Sequence, residues 1–299
     1  MATDKLTRII CDALNVRAYS VITLATAAEI AQRHGATPLA TLHLARAVNA
    51  CTLLGAGLKP ESDQSISLKF SGGGPIRELH IQADARGNVR GYIANPLLEP
   101  EEGEGGAGFG RLIGAGFLTV IKDLGLREPY FSTSPLHSGD IALDVAHYLT
   151  FSEQVPSAII IAARLDEGMH LAVSGGILVQ IFPGTDPEVI ADIEKRIVAS
   201  RNSLGDHLLA GGDIHEFLTG ILGGAPCTFE GEIPLRHRCR CSREMLGEIL
   251  GGFSDGEITD MIEKDNGAEV ECAFCRSRYH FNAPELQSFV SARKGTGLN

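Results

Sequence analysis

The sequence predicts an α+β protein with an N-terminal antiparallel-sheet domain, a helical linker and a small cysteine-containing C-terminal domain. Three observations support this prediction. Segments of alternating apolar and polar residues recur through the first part of the chain, and a glycine-interrupted amphipathic helical pattern follows them. Four of the seven cysteines then cluster in the last quarter. We therefore expect domain boundaries at 1–183, 184–236 and 237–299.

The helices and strands of the N-terminal domain follow from local patterns. Residues 23–58 predict two helices separated at Gly35, with Thr37 as the N-cap and Pro38 at the first helical position of the second. Alternation elsewhere predicts strands and hairpins. The predicted elements are a strand at 65–70, a hairpin at 76–93 turning at 85–88, a strand at 116–123, a helix at 139–154, and a hairpin at 157–182 turning at 166–168.

The linker has the pattern of an amphipathic helix followed by two shorter helical pieces. Residues 186–202 form the longest of these and are followed by glycine-punctuated pieces at 203–212 and 213–224. The residues expected on its apolar face are Val189, Ile190, Ile193, Ile197 and Val198. The segment is too apolar for a solvated linker and too rich in glycine to form its own core. It must pack on another part of the chain, from which it can unfold locally.

Composition narrows the possible classes of protein. The 299 residues include 26 Lys and Arg against 37 Asp and Glu, which gives a net charge of −11. With 44% hydrophobic and 21% charged residues, the chain is expected to fold. The acidic balance argues against a nucleic-acid partner. No uninterrupted apolar run approaches the ~18 residues of a membrane span, and Asp4 and Asp12 argue against a signal peptide, so we expect a cytoplasmic protein without membrane contact.

Two pairs of cysteines mark the C-terminal domain, Cys239-x-Cys241 and Cys272-x-x-Cys275. Four thiolates from two such pairs can surround a Zn²⁺ ion tetrahedrally. The pattern therefore predicts a zinc-binding domain with one zinc ion per chain. A metal also suits a unit of about 60 residues, whose core alone gives marginal stability. Four buried free cysteines are the alternative interpretation.

An all-cysteine site has a further property, because an oxidant can turn each ligand into a non-ligand. Disulfide formation would expel the zinc and remove the ~10–16 kcal/mol that the metal contributes to folding. That exceeds the stability of a typical domain, so oxidation would unfold the C-terminal domain. Arginines that can offset the charge of the thiolates flank the ligands, at Arg238, Arg240, Arg243, Arg276 and Arg278. His237 and His280 are alternate ligands by position. From the residues alone, a structural zinc site and a redox switch both remain open.

The chain as a whole resembles a known chaperone family. The C-x-C and C-x-x-C pairs close a chain of matching length, and longer matches occur at 74–96, 138–158 and 175–184. On these residues the chain is similar to the redox-regulated 33 kDa heat-shock chaperone family, the 33 kDa chaperonins. The similarity extends along nearly the whole chain, including the linker.

The resemblance implies a redox-regulated holdase, which is a binding protein and not an enzyme. Such a protein would bind unfolding client proteins without ATP during oxidative and heat stress. Its reduced, zinc-bound form would be inactive, and oxidation would form disulfides, release zinc and unfold the linker. Carried over by position, the zinc ligands are Cys239, Cys241, Cys272 and Cys275. The implied disulfides are Cys239–Cys241 and Cys272–Cys275, and the implied active form is a homodimer.

Other functions have weaker support in the sequence. A permanent structural zinc ribbon that recruits a partner is the main alternative. A thiol-disulfide oxidoreductase using Cys272 and Cys275 would need a thioredoxin-like βαβ context, which the pattern does not provide. The glycines at 103–108 precede a strand instead of opening a helix, so no ATP site is expected.

Two features depart from the family pattern. Cys227 lies in the linker, where it could mispair with Cys239 or Cys241 on oxidation, or be inert. The glycine-rich stretch 101–110 is longer and more acidic than the resemblance leads us to expect, and we predict a surface loop there. Two surfaces are candidates for binding client proteins. One is the set of apolar faces beneath the linker, and the other is the linker helix that carries Ile190, Ile193 and Ile197.

Overall fold

Two compact units make up the chain, Met1–Arg238 and Cys239–Asn299. The computed structural model describes residues 3–99 and 109–296, with side chains for 3–99 and 111–291. The segment 184–236 belongs to the first unit, and its role as a separate linker stays a prediction. The predicted loop at 101–110 lies outside the described residues except for its last two positions.

The strands span residues from both units. In chain order they are β1 (Lys5–Cys11), β2 (Val16–Ile22), β3 (Ser65–Gly72), β4 (Glu78–Asp84), β5 (Asn88–Ile93), β6 (Gly116–Asp123), β7 (Tyr130–Pro135), β8 (Ser157–Leu165), β9 (Leu171–Ile181), β10 (Thr228–Pro234), β11 (Arg236–His237), β12 (Gly267–Glu271) and β13 (Arg278–Asn282).

The helices are distributed in the same way. They are α1 (Leu24–Arg33), α2 (Pro38–Leu54), α3 (Phe109–Ile113), α4 (Ile141–Phe151), α5 (Pro187–Ser200), α6 (Leu204–Leu209), α7 (Ile214–Ile221), α8 (Arg243–Gly251), α9 (Asp255–Asp265) and α10 (Ala283–Thr296). Thr37 caps α2 as predicted, because its side-chain oxygen accepts a hydrogen bond from the Ala40 N–H. Gly35 separates α1 from α2 with a positive φ of 57°.

Two sheets form the first unit. The five-stranded sheet has the strand order β10-β1-β2-β9-β8, and the six-stranded sheet has the order β11-β5-β4-β3-β6-β7. All neighbours are antiparallel except β11, which runs parallel to β5. The predicted α+β class is confirmed, as are the β4–β5 and β8–β9 hairpins.

Seven of the strands were not predicted from the sequence: β1, β2, β7, β10, β11, β12 and β13. The residues of β2 are buried almost throughout, so they lack the alternation that marks a strand with one solvated face. Its partner β1 and the edge strand β7 carry similarly weak patterns. β10 lies inside the segment predicted to be helical, and that part of the prediction is wrong. A β-bulge between Arg8 and Ile9 in the β1–β10 ladder and Gly231 at a φ of 137° break the regular alternation there.

The main core lies between the two sheets, where α2 packs against strands of both. Along α2, almost every residue from Ala40 to Leu53 is buried. Pro38–Gly57 is long and apolar enough to cross a membrane by length and composition, but 78% of its most apolar window is buried inside the fold. That burial is the behaviour of a central core helix.

A second core covers the opposite face of the five-stranded sheet. We call α5, α6 and α7 the covering helices, because their apolar side chains pack on this face. Ile193 is 2% exposed there, while Val198 is 64% exposed, so the prediction that Val198 shares the apolar face is wrong. Five residues separate the two, which places them about 140° apart around a helix of 3.6 residues per turn.

The second unit is a hairpin of β12 and β13 packed with α8, α9 and α10. Its core is small and consists of Leu246, Leu250, Ile258, Phe281, Leu286 and Val290. The reversal from α9 into β12 uses Asn266 in the left-handed region and Gly267 at a φ of 151°. A Cβ at Gly267 would lie 2.6 Å from the Phe281 carbonyl oxygen, so this position requires glycine.

Candidate metal centre

The four clustered cysteines converge on one point of the second unit. All four sulfur atoms lie within 4.8 Å of one another. Two of the contacts between them are 3.3 Å, from Cys241 to Cys275, and 3.7 Å, from Cys239 to Cys272. Four sulfurs at ~2.3 Å from a tetrahedral zinc ion would be about 3.8 Å apart. The cluster therefore has the donors and the dimensions to bind a metal ion, and both are compatible with zinc.

The first cysteine pair is held at the start of a helix. Cys239 and Cys241 precede α8, and Ser242 is the N-cap of that helix. The Ser242 hydroxyl oxygen accepts a hydrogen bond of 3.2 Å from the Met245 N–H. This cap fixes the direction in which the chain enters α8 and so positions the two thiols before it.

The second pair occupies the tight turn between β12 and β13. The Cys272 N–H donates to the Ser277 carbonyl at 2.9 Å, and the Arg276 N–H donates to the Cys272 carbonyl at 2.9 Å. Arg276 takes a left-handed φ of 59° to close the turn. Both Cys272 and Cys275 are buried, and the turn places their sulfurs on the same side as the first pair.

Two polar side chains contact the sulfurs directly. The Tyr279 hydroxyl lies 3.3 Å from the Cys241 Sγ, and the Ser277 hydroxyl lies 3.3 Å from the Cys275 Sγ. Sequence reasoning missed both residues, because neither belongs to a cysteine motif. The only local signal is that both follow Cys275 within four positions.

Crowding of the thiols separates their pKa values. Burial raises the pKa of Cys241 to about 12, and hydrogen bonds to neighbouring thiols add to that shift. Burial also raises the pKa of Cys275, but hydrogen bonds from Ser277 and from the other thiols outweigh it and bring that pKa to about 7. The Cys275 thiolate thus forms readily, while burial makes Cys241 and Cys272 resist ionisation. A divalent cation would remove this conflict by stabilising all four thiolates together.

The flanking arginines form ion pairs with carboxylates. Arg276 and Arg278 both pair with Glu271, at 2.6 and 3.1 Å. Arg243 pairs with Glu285 at 2.7 Å. Part of the positive charge predicted to offset the thiolates is therefore already balanced by these carboxylates.

The candidate histidine ligands have other partners. His280 Nε2 lies 3.1 Å from a Glu269 carboxylate oxygen. In the first unit, His237 Nδ1 lies 3.1 Å from Glu29 Oε1. Within residues 3–99 and 109–296, the group of side chains able to hold a metal consists of the four cysteines alone. Of the other cysteines, Cys51 is fully buried in the first unit, and burial raises its pKa to about 12.

Comparison with known proteins identifies the family. The model of the Hsp33 protein family matches residues 4–282. The chain belongs to the Hsp33 family. The resemblance inferred from the sequence is therefore confirmed.

Individual relatives of the Hsp33 family match over most of their length. The 33 kDa chaperonin of Citrifermentans bemidjiense is 38% identical over 97% of both chains. One from Thermus thermophilus is 39% identical over 93% of this chain and 84% of its own. The crystal structure of the 33 kDa chaperonin (heat shock protein 33 homolog) from Thermotoga maritima superposes with a TM-score of 0.88 at 31% identity, and the match covers 98% of this chain and 100% of that one. By these names Hsp33 proteins are chaperones and not enzymes.

Proposed function

We propose that this chain is a redox-regulated, ATP-independent holdase that prevents aggregation of unfolding proteins during oxidative and heat stress. The observation that carries the proposal is the four-thiol cluster, whose sulfurs all lie within 4.8 Å in a unit with a small core. Membership of the Hsp33 family supports the chaperone role. In the reduced state, one Zn²⁺ held by Cys239, Cys241, Cys272 and Cys275 keeps the second unit folded.

The size of the second unit explains why metal loss would unfold it. Among its described side chains, up to residue 291, six apolar ones form the buried core, far fewer than in the core between the sheets. A structural zinc contributes ~10–16 kcal/mol to the folding of such a unit, against the ~5–15 kcal/mol of stability that a whole domain has. Oxidation of the ligands therefore removes the largest single contribution to its folding.

The proposed disulfides join cysteines that are neighbours in sequence, Cys239 with Cys241 and Cys272 with Cys275. Each disulfide forms as two thiols lose two electrons and two protons to one peroxide molecule, which yields two waters. In the folded cluster, contacts of 3.7 and 3.3 Å also join one cysteine of each pair, Cys239 with Cys272 and Cys241 with Cys275. Non-reducing peptide mapping separates the two pairings. The sequence-neighbour pairing leaves Cys272 and Cys275 linked within the tryptic peptide 265–276, and the alternative links that peptide to 239–240 or 241–243.

The covering helices have the properties of a segment that can dissociate from the sheet and unfold. They have 14, 6 and 8 residues, and helices below about 12–15 residues are marginal in water without tertiary packing. Gly211, Gly223 and Gly224 take positive φ angles around them. The chain then continues through β10 and β11 directly into Cys239. Unfolding of the second unit therefore frees the chain just beyond this segment.

The surface that the covering helices would uncover is the proposed client site. Removing them exposes an apolar sheet face, and unfolded proteins bind such exposed patches. The residues of this face include Val16, Ala18, Ile160, Ala162, Val173, Ile177 and Val179. The active form is proposed to be a homodimer in the cytoplasm, as the family resemblance implies.

One experiment tests the whole sequence of events. Reduced, zinc-loaded protein is treated with peroxide at heat-shock temperature, zinc release is followed with a chromogenic chelator, and aggregation of a thermally unfolding client is measured in the same samples. We expect zinc to leave as thiols disappear, suppression of aggregation to appear with it, and both to reverse with reductant and zinc. Zinc that stays bound, or leaves without any gain in suppression, would reduce the cluster to a structural site that does not regulate chaperone activity.

A further inference from the structure

Two further cysteines lie in the first unit, where the chain returns from the covering helices to the five-stranded sheet. Cys11 is the last residue of β1, and Cys227 immediately precedes β10. The register pairs Ile9 with Phe229 and Ile10 with Thr228. The next step of that register sets Cys11 opposite Cys227.

The geometry of this position suits a disulfide. Opposed residues on antiparallel strands share a face, with Cα atoms about 4.5–5.5 Å apart, and disulfides span ~4.4–6.8 Å between Cα atoms. The Cys11 thiol is close enough to Cys227 to contribute to the raised pKa of Cys227. The Cys11 thiol also donates to the Pro226 carbonyl at 3.5 Å, next to Cys227 in the chain. A bond between the sulfurs therefore needs little movement of the backbone.

We propose that Cys11 and Cys227 are a second oxidation site, which forms an intramolecular disulfide when a peroxide-class oxidant persists. In the first step the exposed Cys227 sulfur attacks a peroxide oxygen, the O–O bond breaks, and a sulfenic acid and one water result. In the second step the Cys11 sulfur attacks that of Cys227, the S–O bond breaks, and a second water leaves. Two thiols lose two electrons and one peroxide gains them.

Exposure sets the order of these steps. Cys227 is exposed, whereas Cys11 is 1% exposed and reachable mainly by its neighbour. Partial burial and the neighbouring Cys11 thiol raise the pKa of Cys227 to about 12. Because the thiolate is the reactive species, the pair stays reduced under brief exposure and reacts under sustained exposure.

The crosslink would hold both ends of the segment that carries the covering helices, residues 183–227, beside the β1–β2 turn. At its start, the Phe182 N–H donates to the Asn15 carbonyl at 3.1 Å, beside the β1–β2 turn. At its end, Cys227 lies beside Cys11, which enters the same turn. With the sulfurs joined, the covering helices can unfold as a closed loop while β10 stays paired with β1.

Peptide mapping of the full-length protein tests the crosslink. The protein is oxidised with excess hydrogen peroxide, free thiols are alkylated, and a non-reducing tryptic digest is analysed by mass spectrometry. Cys11 and Cys227 are each the only cysteine of their tryptic peptides, 9–17 and 202–236. We expect these two peptides joined, in the wild type and in a Cys51→Ala control, and separate after reduction or in Cys227→Ser. The yield should not change on dilution, because both cysteines belong to one chain.

Several results would overturn the assignment. Cys227 recovered as a free alkylated thiol after sustained exposure to excess peroxide would do so, as would its linkage to Cys239, to Cys241 or to a second chain. Hydrogen exchange tests whether the disulfide keeps β10 paired with β1. Oxidised wild type should keep amide protection in β10, and oxidised Cys227→Ser should lose it. Equal protection in both would exclude that role. Cys227→Ser retains the four clustered cysteines, so its zinc release and aggregation suppression test the proposed holdase separately.

Discussion

The Tyr279 hydroxyl lies 3.3 Å from the Cys241 sulfur and joins β13 to the cysteine pair before α8. A hydroxyl that donates a hydrogen bond to a thiolate stabilises the negative charge on sulfur. The same hydrogen bond with Cys241 favours the protonated tyrosine and is the main reason that the pKa of Tyr279 rises to about 12. Groups in this position orient a metal ligand and tune its basicity. Tyr279 therefore belongs to the candidate metal centre, as a contact of a cysteine in the cluster.

Replacing Tyr279 by phenylalanine should weaken zinc binding without unfolding the chain. Loss of a hydrogen bond to a ligand typically costs ~10–100-fold in metal affinity, and we expect the lower end for this single contact. Competition with a chromogenic chelator measures the affinity. Tyr130→Phe, on an exposed residue of β7, is the matched control and should leave it unchanged. Equal affinities in the two variants would remove Tyr279 from the site.

Removing one ligand should abolish zinc binding and unfold the second unit alone. In Cys275→Ser the site has three thiols, and the small core around Phe281 is left without its metal. We expect elemental analysis to find one zinc in the wild type and almost none in the variant. Hydrogen exchange should show lost protection across α8–α10 and unchanged protection in α2. Cys227→Ser, a thiol outside the cluster, should keep its zinc; a zinc-loaded Cys275→Ser protein would contradict the predicted ligand set.

Undocking the covering helices should activate the protein without oxidant. An aspartate at Ile193, which is 2% exposed, would place an unpaired charge in the covering core, whereas Val198→Asp, at a position that is 64% exposed on the same helix, would not. We expect reduced, zinc-bound Ile193→Asp to suppress client aggregation and to lose amide protection in α5–α7. Val198→Asp should behave as the wild type. An undocked but inactive Ile193→Asp variant would argue that the uncovered sheet face does not bind clients.

The parts of the fold that the sequence predicts are those marked by a local pattern of residues. The β4–β5 hairpin was predictable because its apolar residues alternate and its turn carries Gly87. The cluster of four cysteines was predictable because its members come in two short motifs. The β1–β10 ladder was not, since β10 follows a helical segment and its edge position leaves it mostly exposed. The meeting of Cys11 and Cys227 depends on that ladder, so no local pattern could reveal it.

Glu153 supports a buried tyrosine in the first unit, and its replacement should change how stability depends on pH. Its carboxylate accepts hydrogen bonds from Lys122, at 2.6 Å, and from the hydroxyl of Tyr148. Burial alone would raise the pKa of Glu153, but these two partners outweigh it and hold that pKa below its ordinary value of 4.5. A lowered pKa in the folded state means that the stabilisation is fully present above the unfolded-state value and is lost as pH falls through the folded-state value.

Glu153→Gln should therefore lower the free energy of unfolding by about 2 kcal/mol at neutral pH, the scale of a hydrogen-bonded charge at a mostly buried site. The difference from wild type should stay constant above the ordinary pKa of 4.5 and shrink below it. Urea unfolding of reduced, zinc-loaded protein, followed by circular dichroism across this pH range, measures it. Glu167→Gln, in the exposed turn between β8 and β9, is the control and should be nearly neutral. A Glu153→Gln difference that grows as pH falls would show that the carboxylate is not stabilised by Lys122 and Tyr148 in the folded protein.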